Sequence, residues 1–266
     1  MARADAPVLT PHLLRGWPLP VPDDSADKHA RGTVLVVGGA ASTPGAVLLA
    51  GLAALRVGAG RLQVATVPET AVALAVALPE AMVVGRDDLG SCDLDGVDAV
   101  VVGPGLFDPA PVLAGLLPRL DGRPAVIDAL ALTALDRPVP RSVLTPNAGE
   151  LRALAGDGED HELALRAADK YTAAVATHGW VAAPDGRLWR DEAGSVGLGT
   201  SGSGDVLAGA VGGLLARGAE PEQAACWGQY LHVSAGDRLV ATHGRVGFLA
   251  RELLDELPRA LLALTA

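Results

Sequence analysis

Short apolar, β-branched runs alternate along this chain with helical stretches, and that alternation restricts its fold more than any other feature. Thr33–Val37 (TVLVV) has no polar–apolar rhythm and stops at Gly38-Gly39. Such a run reads as a strand buried on both faces, the habit of a parallel sheet. Pro44 opens the next segment, in the first helical turn, where no N–H is needed. A helix to Arg56 follows, ended by Gly58 and Gly60. The same rhythm predicts strands at 62–66, 97–102, 124–128 and 142–145 and helices at 69–78 and 109–120. Residues 148 onward, entered through Asn147, begin a further helix. The second half predicts a helix at 159–171, short strands at 173–177, 180–183 and 187–190, and helices near 205–217, 221–239 and 248–257. Strands alternating with helices imply βαβ units and a mainly parallel sheet covered on both faces, an α/β/α layering. No low-complexity linker interrupts the chain, so residues 32–266 read as one domain behind a Pro-rich, extended arm at 1–31.

Charge narrows the partners. The net charge is −10, and Lys28 and Lys170 are the only lysines among 266 residues. A phosphate-backbone grip needs a basic stripe, so nucleic acid is not an expected partner. An anionic ligand would have to be held by local backbone donors rather than by a global field. No apolar run reaches signal-peptide or membrane-span length, so the expected location is the cytoplasm, with no membrane partner. Cys92 and Cys226 form no metal-binding or disulfide pattern. His12, His29, His161, His232 and His243 have no metal-ligand spacing among themselves.

Residues 194–205 read GSVGLGTSGSGD and run into a helix. Glycine lets the backbone turn sharply and approach a ligand closely. The N-terminus of the helix that follows suits a phosphate or a developing anion. Asp205 stands at that entrance. It could take a proton from a substrate hydroxyl, or simply cap the helix. Asn147 and Glu150, in Thr-Pro-Asn-Ala-Gly-Glu, have capping-box spacing. Gly103 and Gly105 close a strand at the edge where α/β sheets bind ligands, or make a plain turn.

The Gly202-Ser203-Gly204-Asp205-Val-Leu-Ala-Gly stretch resembles the signature of the ribokinase-like superfamily. Further pieces resemble one branch, the ADP/ATP-dependent NAD(P)H-hydrate dehydratases. They are Lys28-His29-Ala30-Arg31-Gly32, Pro44-Gly45-Ala46, Arg56-Val57-Gly58-Ala59-Gly60, residues 62–66, Pro79-Glu80-Ala81-Met82-Val83, Gly103-Pro104-Gly105-Leu106, residues 144–150 (LTPNAGE), Tyr230-Leu231-His232 and Ala235-Gly236-Asp237. The resemblance implies a ribokinase-like α/β/α fold. It also implies repair of hydrated NADH or NADPH: a nucleotide phosphorylates the misplaced hydroxyl and phosphate is then eliminated. On this resemblance Asp205 is the catalytic base. Gly45, Ala46, Gly105, Asn147 and Asp205 line the substrate. His178, Gly179, Gly202, Ser203 and Gly204 meet the nucleotide. Glu150 stands near Mg²⁺, and ADP or ATP is the phosphoryl donor. A homo-oligomer and a separately supplied epimerase are also expected.

Three departures mark this chain. Asn147 stands where dehydratases commonly have histidine, as it does in the superfamily's sugar and vitamin kinases. Leu130 replaces one carboxylate of an Asp-Ala-Asp-Ala-Leu stretch, here Asp128-Ala129-Leu130-Ala131-Leu132. His178 replaces a lysine in a Lys-Gly pair. A small-molecule kinase and a degenerate nucleotide-binding paralogue are the alternative readings.

Overall fold

The computed structural model describes residues 6–21 and 30–265. The remaining residues, Lys28 and His29 of the sequence motifs among them, lie outside the described part. Nine strands form one sheet: β1 (Thr33–Val37), β2 (Arg61–Thr66), β3 (Ala81–Gly85), β4 (Ala99–Val102), β5 (Ala125–Ile127), β6 (Ser142–Leu144), β7 (Ala174–Thr177), β8 (Trp180–Ala182) and β9 (Leu188–Arg190). The spatial order is β3-β2-β1-β4-β5-β6-β7-β8-β9. β1 to β7 pair parallel, and β8 and β9 add on antiparallel. The central strands are apolar throughout because both their faces are covered. In β1, Val34 and Val36 enter one hydrophobic cluster while Leu35 and Val37 enter the other.

On the first face lie α2 (Pro44–Arg56), α7 (Ser203–Ala216), α8 (Pro221–His243) and α9 (Ala250–Thr265). On the second lie α4 (Pro109–Leu116), α5 (Ala148–Ala155) and α6 (Asp160–Tyr171). α3 (Pro68–Ala77) packs beside β3 at the edge of the sheet.

The layered architecture is the one expected, with four differences. Residues 6–21 are not simply an extended arm. Thr10 accepts a bond from Leu13 N and caps α1 (Pro11–Arg15), and Leu9, Leu14 and Leu19 are buried in the first core. Gln223 and the indole N–H of Trp227 both donate to the carbonyl of Trp17, fastening this segment to α8. β3 was not expected, because as an edge strand it is only partly covered and carries no fully buried run. The helix expected over 109–120 gives way at Leu116 to a 3₁₀ turn, Leu117–Arg119, where Pro118 removes a helical donor. The last helix starts later than expected and runs to Thr265.

Sheet order reverses between β1 and β4, so the crevice beyond their carboxyl ends is a topological switch point. The two strands end in glycine turns that touch. Gly39 N donates to Pro104 O at 2.8 Å, and a Cβ on Gly38 would lie 2.2 Å from the same oxygen.

Two helices are aimed at this edge by unusually close packing. A Cβ on Gly209 of α7 would lie 2.0 Å from Ala50 O of α2, and one on Gly213 would lie 2.5 Å from Ala54 O. Successive contacts advance in the same direction along both helices, so α2 and α7 run parallel. Their first turns therefore open side by side.

Candidate functional site

The crevice is built from five chain segments meeting at the carboxyl edge. The first is the start of α2, where Gly45 is exposed and has open space around it. Thr43 Oγ1 donates to Gly105 O at 2.8 Å, and a Cβ on Gly105 would stand 2.9 Å from that of Ala46. Gly45, Ala46 and Gly105 are thus brought together, and Gly105, at φ 66°, holds a conformation that glycine tolerates.

The second segment is Gly202–Asp205. Gly202 takes φ 90° and turns the chain into α7. The N–H groups of Gly204 and Asp205 belong to the first turn, where no intrahelical acceptor exists. They carry the positive end of the helix dipole. Ser203 differs from its neighbours: its N–H donates to Thr200 O, and its hydroxyl lies inward, 2.9 Å from His232 Nε2. Asp205 is half-buried, and burial pushes its carboxyl up to about 6.

The third segment is Asp128, just past β5. It is buried and accepts a 2.8 Å bond from Thr145 Oγ1. Burial, opposed by the Thr145 bond and reinforced by the charges of Asp205 and Glu150, pushes its carboxyl up to about 8. The charges of Asp205 and Glu150 thus both reach Asp128.

The fourth segment is Asn147–Glu150. Asn147 Oδ1 accepts from Gly149 N and Glu150 N, while Glu150 Oε2 accepts from Asn147 N at 2.9 Å. The capping box is complete, so one Glu150 oxygen is engaged by the backbone. Asn147 itself is exposed at the rim. The fifth is the β7–β8 hairpin. Thr177 Oγ1 donates to Pro146 O at 2.8 Å, which sets exposed His178 and half-buried Gly179 beside the Asn147 loop.

Every residue expected in the site therefore lies on this edge. Two others were not singled out for it, Asp128 and His232. The signal for Asp128 was present, since an aspartate ends a strand there, but its partner Thr145 lies one strand further on. Trp189 stacks on Trp17 at 5.9 Å, with Arg187 over its ring. Leu130, in place of a carboxylate, is partly exposed after Ala129, whose φ is 53°.

A model of the NAD(P)H-hydrate dehydratase family matches residues 34–259. The chain belongs to the NAD(P)H-hydrate dehydratase family. An ADP-dependent (S)-NAD(P)H-hydrate dehydratase of Xanthomonas campestris pv. campestris is 44% identical, and the match covers 95% of each chain. The enzyme of that name from Neisseria meningitidis is 34% identical over 86% of this chain and 85% of its own. A bifunctional NAD(P)H-hydrate repair enzyme of Moorella thermoacetica is 39% identical over 91% of this chain and 52% of its own. Among solved structures, the ADP/ATP-dependent NAD(P)H-hydrate dehydratase of Bacillus subtilis, co-crystallised with ATP and Mg²⁺, superposes with a TM-score of 0.89. It is 30% identical, and the match covers 98% of this chain and 99% of that one. A ribokinase of Thermotoga maritima, 14% identical with a TM-score of 0.58 over 87% of this chain and 99% of its own, shares the fold. The fold is thus ribokinase-like, and the family membership holds despite Asn147, Leu130 and His178.

Proposed function

We propose that the chain uses ADP or ATP to dehydrate NADHX or NADPHX, with Asp205 as the base. The observation that carries this reading is Asp205 itself, half-buried beside the unpartnered first-turn N–H groups of α7. A carboxylate with its affinity for protons raised to about 6 is still ionised at neutral pH and is a stronger base than an ordinary aspartate. It would accept the proton of the misplaced ring hydroxyl as that oxygen bonds to the terminal phosphorus and the bond to the departing nucleotide breaks. The N–H groups of Gly204 and Asp205 would stabilise the charge on the transferring group. Phosphate then leaves far more readily than hydroxide, and loss of a proton from the neighbouring ring carbon restores the double bond.

Gly45, Ala46, Gly105 and Asn147 would line the hydrated dinucleotide at the switch point. Gly179 and Gly202 would approach the nucleotide closely, with Ser203 supporting that loop from beneath. His178 replaces the point charge of a lysine with a hydrogen-bonding ring.

Mg²⁺ fits the residues present. Carboxylate oxygens suit a hard cation, and the Asn147 N–H engages only Oε2 of Glu150. Among the described residues no three acidic, histidine or cysteine side chains form a metal cage. The cation would be held largely by nucleotide phosphates and water, with Glu150 offering the oxygen its capping box leaves free. Bound there, Mg²⁺ would neutralise phosphate charge.

The reading also carries a homo-oligomer and an epimerase supplied separately. No helix among the described residues is long and apolar enough to cross a membrane. Buried, free Cys92 and Cys226 accord with the reducing cytoplasm.

The test is direct. Purified protein, Mg²⁺ and either ADP or ATP are mixed with hydrated NADH or NADPH, and absorbance of the restored reduced nicotinamide is followed. Recovery is expected with the wild type and not with Asp205→Asn of unchanged fold. No recovery by the wild type with either nucleotide would refute the reading.

A further inference from the structure

The motif Tyr230-Leu231-His232 with Ala235-Gly236-Asp237 has no part in the chemistry above, yet one helical stretch of α8 carries all of it. Three residues of this stretch, His232, Val233 and Gly236, reach the glycine loop and the start of α7. Val233 lies 3.6 Å from where a Cβ on Gly194 would stand. Gly236 makes room for Leu198, whose Cδ2 would be 2.7 Å from a Cβ there. His232 is buried and reaches the start of α7, with Nε2 2.9 Å from Ser203 Oγ and 3.0 Å from Ser203 O.

The last distance fixes the tautomer. A carbonyl oxygen only accepts, so Nε2 must carry the hydrogen and Nδ1 the lone pair. Burial pushes this imidazole down to about 4, so it remains neutral at physiological pH. Ser203 immediately precedes Gly204 and Asp205, whose N–H groups are the free donors of the mouth. Its own N–H is already committed to Thr200. The carbonyl and hydroxyl of Ser203 thus rest on one imidazole N–H donated from another helix.

We infer that His232 is a positioning residue for phosphoryl transfer, its Nε2–H holding Ser203 so that the Gly204 and Asp205 N–H groups meet the transferring phosphate. The inference rests on the proposed phosphate-binding role of residues 202–205. It predicts a selective defect. On the proposed role, residues 202–205 would meet the transferring phosphate, so loosening Ser203 should weaken binding where the terminal phosphates sit.

The test compares His232→Gln with His232→Asn. Glutamine places an amide N–H near the position of Nε2, whereas asparagine stops short of Ser203. Both are polar amides with similar cost of burial. Affinities for ATP and AMP are measured by calorimetry, together with turnover kinetics and thermal melting. The Gln variant should keep the wild-type ratio of ATP to AMP affinity. The Asn variant should keep AMP affinity, lose that ratio, and show kcat reduced on the order of 100-fold with little change in KM for the hydrated dinucleotide. Equal ratios and equal kcat in both variants overturn the inference, as does failure of both to fold, which would make the histidine a core residue alone. A wild type that binds neither nucleotide would instead sink the proposed function, which keeps the two failures distinct.

Discussion

Asp128 and Asp205 are both aspartates at the mouth, but their surroundings separate them. Asp205 keeps some contact with solvent, and its carboxyl is raised to about 6 by burial alone. Its ionised form is the base, so kcat/KM should rise with pH through about 6 and level off above it; a profile flat from pH 5 to 7 would exclude Asp205 as that base. Asp128 is fully enclosed and raised to about 8, chiefly by burial. A carboxyl raised on folding binds more protons folded than unfolded between the two values, so stability is lost as pH climbs from about 4 to about 8. Asp128→Asn removes this dependence while retaining an acceptor for Thr145. The variant, free of nucleotide and Mg²⁺, should show a melting temperature that falls less than the wild type's over that interval.

The pair α2 and α7 decides whether the site exists at all. Their glycines replace side chains with backbone contact, and the helices lie parallel because Gly209 and Gly213 meet Ala50 and Ala54 in order. Alanine is a better helix former than glycine by about 1 kcal/mol. At Gly209 the added methyl would meet the Ala50 carbonyl, and overpacking of this kind costs about 3 kcal/mol. Gly209→Ala is therefore expected to destabilise the protein in urea unfolding, against its helix propensity. A variant as stable as the wild type would show that the helices can part without cost. The hairpin joining β7 to β8 shows the same dependence on neighbours, since His178 is placed by the bond of Thr177 to the Pro146 carbonyl.

For the whole molecule, the sheet has one edge at β3, and α3 beside it is apolar on its outer side. Val72 and Val76 are 78% and 79% exposed, and Met82 on β3 is 53% exposed. Apolar side chains gathered at a sheet edge mark an association surface. We expect this edge to meet a second copy of the chain. Light scattering should find an oligomer for the wild type and a smaller particle for the double variant Val72→Asp, Val76→Asp; identical masses would place any interface elsewhere.

From the residues in order came the alternation of strands and helices, the glycine turns at strand ends, the capping box at Asn147 and the helix mouth at Asp205. All depend on neighbours a few positions apart, so local pattern is enough to reveal them. The edge strand β3 escaped because partial burial leaves no continuous apolar run, and the helix in residues 6–21 because Pro and polar residues conceal three leucines that only the folded core collects. Tertiary structure alone decided the rest. Asp128 finds Thr145, and Ser203 finds His232, across 17 and 29 residues of chain. Burial, and with it the proton affinity of each carboxylate, is set by what the fold places around a side chain rather than by the residues beside it in sequence.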